Sequence, residues 1–435
     1  MSPEVIGILG LLILFSILAL GMPIAFSLIL VAVGGLITLS GVQPALIALG
    51  TSPFNTISDY AMSVIPLFIL MGNLAADSGL TADAYAAAHL WFGRLPGGMG
   101  IATIIGSAGF AACSGSSVAS VSVIGSMALG EMKRYDYDPA LASGCVASGA
   151  TLGILIPPSI PMIVYGILAQ ESVGKLFMAG IFPGILLAGL FILSIVFRVK
   201  RNPALGPPGP QTTMAHKISG LHKAWPLLLL SSIVIVGIWG GIFTPIESGG
   251  VAASVALIIG LLRRRLDRKK TAKAIMSSVR VSAMIFAIMI GALMFNYFMA
   301  LTQLPRILAD YIGTLPIPAT IVIIIIMFFY LMGGCVMDVL GLMMLTLPIF
   351  IPIAKAIGYD LIMFGVLTTV TGEIALITPP IGMNVFILNA VAKDIPLYTI
   401  FRGIIPFLIA MLIFLAILLA FPQIALYLPS VMIQR

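Results

Sequence analysis

Two carboxylates, Asp338 and Glu373, stand in the middle of apolar runs of this 435-residue chain, far in sequence from any Lys or Arg. A charged side chain at the centre of a membrane helix costs roughly 2.5–3.5 kcal/mol even on insertion scales, so such residues are functional candidates by default. They fall in two of four segments rich in Gly, Ser, Thr and Pro: Ala112-Cys113-Ser114-Gly115-Ser116-Ser117, Ser148 to Ser159 with Pro157-Pro158, Gly333 to Asp338, and Thr371 to Asn384 with Pro379-Pro380. Proline lacks an N–H and blocks the turn before it, so nearby carbonyls lose their helical partners. With the hydroxyls around them, they make a set of neutral oxygens suited to a hard monovalent cation such as Na⁺. Half-helix N-termini beside them carry about +0.5 of a charge each and can hold an anion without any buried Lys or Arg. The candidate substrate contacts are Ser116, Ser117, Pro158, Ser159, Pro380 and Asn384. Asp338 reads either as support for a Na⁺ site or as a helix cap. Glu373 reads as a substrate or ion group, or as a residue facing a water-filled cleft.

The elements holding these segments must lie in a lipid bilayer. The chain is 60% hydrophobic and 9% charged, with mean hydropathy +1.18, whereas a soluble domain is about 25% charged. An all-α polytopic membrane protein is expected. Its Gly and Pro fall inside apolar segments, where membrane helices tolerate them. Apolar spans are expected at 5–21, 23–40, 60–77, 140–169, 176–198, 225–242, 245–262, 281–301, 361–392 and 398–421, about ten crossings. The blocks 97–130 and 317–354 each carry a polar, Gly-containing kink near the middle. Non-helical backbone at membrane depth must be buried in protein or line a cavity, so both read as re-entrant hairpins. The net charge of +7 does not point to nucleic acid, because the basic residues sit mostly in short loops. With 198–223 and 263–273 on the cytoplasmic side, only Lys175, Arg306, Lys355 and Arg435 remain outside among 22 Lys and Arg. The N-terminal apolar run has neither a basic leader nor an A-x-A site and reads as a retained helix.

Landmarks recur at a nearly constant offset: Pro23 and Pro245, Cys113 and Cys335, Tyr137-Asp138 and Tyr359-Asp360, Pro157-Pro158 and Pro379-Pro380, all 222 residues apart. Gly93-x-Leu95-Pro96 answers Gly313-x-Leu315-Pro316, and Gly180-x-x-Pro183 answers Gly403-x-x-Pro406. Residues 1–198 and 224–435 therefore read as two repeats joined by a flexible cytoplasmic connection, 199–223. Each repeat holds three spans, an interfacial helix (82–95 or 302–315), a hairpin (97–135 or 316–357) and two spans. Five crossings per repeat invert the second copy, and inverted repeats with broken helices at the midplane mark secondary transporters.

Other features read more plainly. Cys113, Cys145 and Cys335 show no metal-ligand spacing. His89 reads as a surface residue, Met337, Met343 and Met344 as packing, and Arg263 to Lys270 as a topology anchor that also meets anionic lipid. The chain has no phosphate-binding glycine loop and no paired nucleophile and base, so no enzyme is expected.

Gly21-Met22-Pro23-Ile24, Phe243-Thr244-Pro245-Ile246-Glu247, Ser114-Gly115-Ser116-Ser117, Tyr137-Asp138-Pro139 and the two Pro-Pro breaks resemble the large membrane subunit of tripartite ATP-independent periplasmic (TRAP) transporters. The resemblance spans essentially the whole chain. It implies an elevator-type, Na⁺-coupled importer of organic anions in the bacterial inner membrane. Its partners would be a small four-helix membrane subunit and a periplasmic substrate-binding protein. Carried over by position, it implies one ion site near Ser114, Gly115, Ser148 and Gly149 and another near Gly334, Val336, Asp338, Thr371 and Gly372. Many family members have an Asp six residues after the first tip serine, where this chain has Ser120. That removes a carboxylate from the first expected site and leaves backbone ligands. The competing readings are a Na⁺/carboxylate symporter of related inverted-hairpin fold that needs no binding protein, and a membrane scaffold without transport.

Overall fold

The computed structural model describes residues 1–209 and 212–432. Pro210 in the connection and the expected outer residue Arg435 lie outside the described residues. The first half contains α1 (Pro3–Ala19), α2 (Ile24–Ser40), α3 (Val42–Ser58), a 3-10 turn (Tyr60–Ser63), α4 (Val64–Asp77) and α5 (Leu80–Phe92). It continues with α6 (Gly98–Ser114), α7 (Ser117–Arg134), α8 (Pro139–Ala150), α9 (Leu152–Leu155), α10 (Ile160–Ala169) and α11 (Val173–Arg201). The second half contains α12 (Met214–Trp239), α13 (Pro245–Leu262), α14 (Arg268–Thr302), α15 (Leu304–Thr314) and α16 (Ala319–Gly334). It ends with α17 (Val339–Ala356), α18 (Leu361–Ile377), α19 (Met383–Val391), α20 (Leu397–Ala420) and α21 (Gln423–Ser430). Eight helical stretches among the described residues are long and apolar enough to cross a membrane, and α1, α2, α6, α16 and α18 are shorter apolar helices.

Local chemistry sets the boundaries. The Thr244–Glu247 motif is a capping box that opens α13: Thr244 Oγ1 accepts from Glu247 N–H, and Glu247 accepts from Thr244 N–H at 2.8 Å. Asp138 and Asp360 cap α8 and α18, each accepting a backbone N–H at 2.8 Å. Tyr137, beside the first of these caps, accepts the N–H of Met99 through its hydroxyl at 3.0 Å. That bond puts the start of α6 next to the end of α7, so the two form an antiparallel hairpin. In the second hairpin Thr346 and Tyr330 join α17 to α16 through their hydroxyls at 2.7 Å.

Two helix layers result. In the outer one, α14 lies against α2, α3 and α4, and α13 against α4 and α12. In the inner one, α8 packs on α6, α7 and α20, while α18 packs on α11, α16, α17 and α20. Every residue of α18 after Leu361 is buried. The short helices bridge the layers, α5 between α12 and α6, and α15 between α14 and α17. Glycine lets inner backbones touch: a Cβ on Gly403 would overlap the carbonyl of Ala140, and one on Gly144 the carbonyl of Gly403.

The structure corrects the expected elements in three places. Residues 42–58, left without a helix, form α3, and Gln423–Ser430 form α21, packed on α11 and α18. The connection is shorter than 199–223, since α11 runs to Arg201 and α12 starts at Met214. It is also tied down. Gly97 N–H donates to Gly206 O at 2.9 Å, Asp138 N–H to Leu205 O at 3.1 Å and Gly209 N–H to Gly93 O at 2.8 Å. Thr212 adds a hydroxyl bond to Leu90 O at 2.9 Å.

Candidate functional site

The tip of the first hairpin is two residues long. Gly115 adopts φ 61°, where an L side chain is disfavoured, and a Cβ there would lie 2.7 Å from Pro158 O. Its own carbonyl accepts Ile160 N–H at 3.4 Å. The tip is thus seated on the Pro157–Ser159 break, whose residues are all buried. Ser116 caps α7 and Ser159 caps α10, accepting N–H groups of Ala119 and Met162. Within the tip, Ser114 Oγ lies 3.5 Å from both Ser116 O and Ser120 Oγ, and Ser120 Oγ donates to Ser116 O at 3.0 Å. A Cβ on Gly153 of α9 would stand 3.1 Å from Ser116 O and from Ser120 Oγ, so the missing side chain leaves these oxygens room.

Ser148 and Gly149 do not join that group. Gly149 packs against Ser107, whose Oγ a Cβ would meet at 2.9 Å, and Ser107 is seven residues, about 10 Å of helix, below Ser114. The hydroxyls of Ser107 and Ser148 are both buried without a partner. Of the first expected ion set, Ser114 and Gly115 thus lie at the tip, with Ser116 O and Ser120, while Gly149 lies against Ser107 and the Ser148 hydroxyl is buried without a partner.

At the second hairpin, Gly334 packs on α18, where a Cβ would meet Ala375 at 2.7 Å and Gly372 O at 3.7 Å. Val339 fills the space above Gly372. Asp338 caps α17, with Oδ2 accepting Leu340 N–H at 3.1 Å. Capping does not use up a carboxylate, which keeps further acceptor positions. Thr371 donates to Leu367 O at 2.8 Å and lies 3.2 Å from Met327 Sδ on α16. The Val336 side chain is 64% exposed, so only its backbone is available to a ligand. Gly334 and Val339, on either side of Asp338, make the contact between tip and α18 at Gly372 and Ala375; Thr371 faces α16.

Glu373 joins the halves. It is fully buried, and Ser117 Oγ donates to its Oε1 at 3.2 Å across 256 residues of sequence. It faces no open cleft, and its Oε2 has no partner. Asn384 is likewise fully buried, with both amide atoms unpaired. Its helix α19 packs on α18 and α7. Pro379, Pro380 and Ile381 are exposed, unlike their buried counterparts Pro157 to Ser159. At the far end of α7, Lys133 pairs with Asp394 of the α19–α20 loop and holds that carboxyl below its usual range through a hydrogen bond. His89 is half-buried on α5, its ring 6.1 Å from that of Tyr135.

The donor set can accommodate Na⁺. Neutral hydroxyl and carbonyl oxygens cluster at one tip, the other carries the Asp338 carboxylate and the backbone of Gly334 facing α18, and several buried polar atoms lack partners. Among the described residues no three His, Cys, Asp or Glu side chains gather as a transition-metal site would require.

Residues 11–424 match the family described as tripartite ATP-independent periplasmic transporter, DctM component. The chain belongs to that family. The C4-dicarboxylate TRAP transporter large permease protein DctM of Pseudomonas aeruginosa is 35% identical over 381 residues, 87% of this chain and 88% of that protein. The sialic acid TRAP transporter large permease protein SiaM of Vibrio cholerae is 31% identical over 94% of this chain and 95% of its own length. The isethionate TRAP transporter permease protein DctMQ of Oleidesulfovibrio alaskensis is 31% identical over 94% of this chain and 64% of its own length. Among solved structures, the Alcanivorax borkumensis YdaH transporter shares the fold, with TM-score 0.64 over 88% of this chain and 89% of that one at 15% identity. This TRAP large permease is thus an inner-membrane transport subunit, and the relatives named here are permeases rather than enzymes.

Proposed function

We propose that this TRAP large permease imports a small organic anion, a carboxylate or sulfonate, in a Na⁺-coupled elevator cycle. A periplasmic binding protein delivers the anion, and a small four-helix membrane subunit completes the permease. The observation that carries this reading is the seating of an oxygen-lined hairpin tip, Ser114 to Ser120, on the buried Pro157–Ser159 break inside a member of this family. The substrates in the relatives' names, C4-dicarboxylates, sialic acid and isethionate, are all anions.

Ser114 Oγ, Ser116 O and Ser120 Oγ would hold one Na⁺; Gly334, Asp338 and Gly372 would hold another. Bound Na⁺ supplies the positive charge that a carboxylate substrate needs where Lys and Arg are missing. Ser117, Ser159 and Asn384 lie at the N-termini of α7, α10 and α19, where the positive end of the helix dipole favours an anion. Gly115 closes the first break against water by pressing on Pro158. The inner layer would then slide past the outer layer, with α5 and α15 as the connecting arms.

Uptake by the complete three-part system in proteoliposomes tests this. Replacing Na⁺ by K⁺ should abolish accumulation of the substrate, and undiminished uptake would overturn the coupling. Accumulation by the membrane subunits alone, without any binding protein, would instead support the self-sufficient Na⁺/carboxylate symporter.

A further inference from the structure

The cytoplasmic end of the outer layer carries a basic hollow of about 360 Å³, lined by Ser219, His222 and Lys223 of α12 and by Arg263 and Arg265 of the α13–α14 loop. We propose that it binds the phosphate headgroup of an anionic phospholipid from the inner leaflet.

Charge is the first argument. Arg263 and Arg265 both pair with one acid, Asp83 of α5, at 3.1 and 2.7 Å. Arg265 makes two of these contacts, through both terminal nitrogens. One carboxylate therefore faces two guanidinium groups, and Lys223 forms no ion pair among the described residues. The hollow holds about two positive charges beyond what the protein neutralises, enough for a phosphodiester or phosphomonoester.

Rigidity is the second. Arg263 also donates to Lys223 O at 3.2 Å, which fixes the loop against the backbone of α12. Arg265 donates to Gly79 O at 3.4 Å, just before α5. Two guanidinium groups are thus held in place before any ligand arrives, and planar guanidinium is well matched to phosphate.

The surroundings argue for a lipid over a free anion. Trp225 lies directly below, with the Arg263 guanidinium 5.9 Å from its ring centroid, and it is 43% exposed. Leu228 and Leu229 continue the exposed apolar surface along α12. Basic groups above an exposed indole and an aliphatic strip match a headgroup, glycerol region and acyl chain in order. The hollow is one mooring point within the wider basic run, and its contacts with α5 place the lipid beside an arm joining the two layers.

The test uses the membrane complex in nanodiscs of phosphatidylcholine with or without phosphatidylglycerol, read by thermal stability and by lipid retained in native mass spectrometry. Wild type should gain stability with phosphatidylglycerol and retain it. Lys223→Glu should lose most of both effects, and Lys223→Gln about half of the retention. Lys269→Glu, on the same basic run but outside the hollow, should behave as wild type. Equal loss in Lys269→Glu would show diffuse attraction and overturn the site. Equal stabilisation by inorganic phosphate in phosphatidylcholine alone would overturn the lipid assignment, as would unchanged phosphatidylglycerol retention in Lys223→Glu.

Discussion

Asp338 caps α17 in the structure and is proposed as a Na⁺ ligand, and two substitutions separate the cap from the proposed ligand role. Asn caps helices about as well as Asp, whereas Ala loses about 1 kcal/mol of cap. Asp338→Asn should therefore keep the thermal stability of wild type while raising the Na⁺ concentration needed for half-maximal uptake. Asp338→Ala should lose both. If Asn left the Na⁺ activation curve unchanged, Asp338 would be a cap alone. Ser120 stands where the family resemblance leads one to expect an acid, yet it lies 3.5 Å from Ser114 Oγ and bonds Ser116 O. Ser120→Ala should weaken Na⁺ activation several-fold without a matching loss of expression. Ser117→Ala leaves buried Glu373 with neither oxygen satisfied, which should cost about 1–3 kcal/mol in thermal or denaturant unfolding. The tip serines, the Pro-Pro breaks and the two intramembrane acids were legible in the sequence, because apolar surroundings make any polar residue conspicuous. Glu373 meeting Ser117 was not legible, since nothing local links residues 256 positions apart. Ser107 was also hidden, because a serine within a Gly- and Ala-rich helix reads as packing until Gly149 is placed against it.

Helices were legible where apolar length announced them, and Pro245 marks a helix start that the structure reproduces. Asp138 and Asp360, read from the sequence only as landmarks closing the hairpins, are the caps of α8 and α18. α3 was missed because Thr51-Ser52-Pro53-Phe54-Asn55 carries the punctuation of a loop. Packing against α2 and α14 supplies what its local propensity lacks. Its counterpart segment, with no proline, is the front of the single 35-residue helix α14. At the α8–α20 crossing, the glycines carry the contact. Gly403→Ala should destabilise the protein by about 1–3 kcal/mol through forced separation of the two backbones. Gly34→Ala, with nothing within 4 Å of the new methyl, should not. Unfolding in detergent followed by circular dichroism compares the two, and equal effects would contradict the packing described.

The whole molecule pairs a buried break in one half with an exposed break in the other. Two halves related by a near-constant offset have therefore taken different environments in a single conformation. The repeat was legible from landmark spacing, whereas the unequal exposure of Pro158 and Pro380 arises only after the layers assemble. Cysteine pairs placed between α4 and α6, which touch across the layers, should on oxidation halt uptake and recover it on reduction. Transport indifferent to every such bridge would argue against sliding layers.

The segment joining the halves bonds both feet of the first hairpin, through Gly97 and Asp138. A protease nick or a glycine insertion between residues 202 and 209 would then do more than lengthen a leash. It would loosen the footing of the helix pair carrying Ser114 to Ser120, so under the proposed function damage to this strap would be felt as a poorer grip on cargo at the opposite end of the hairpin.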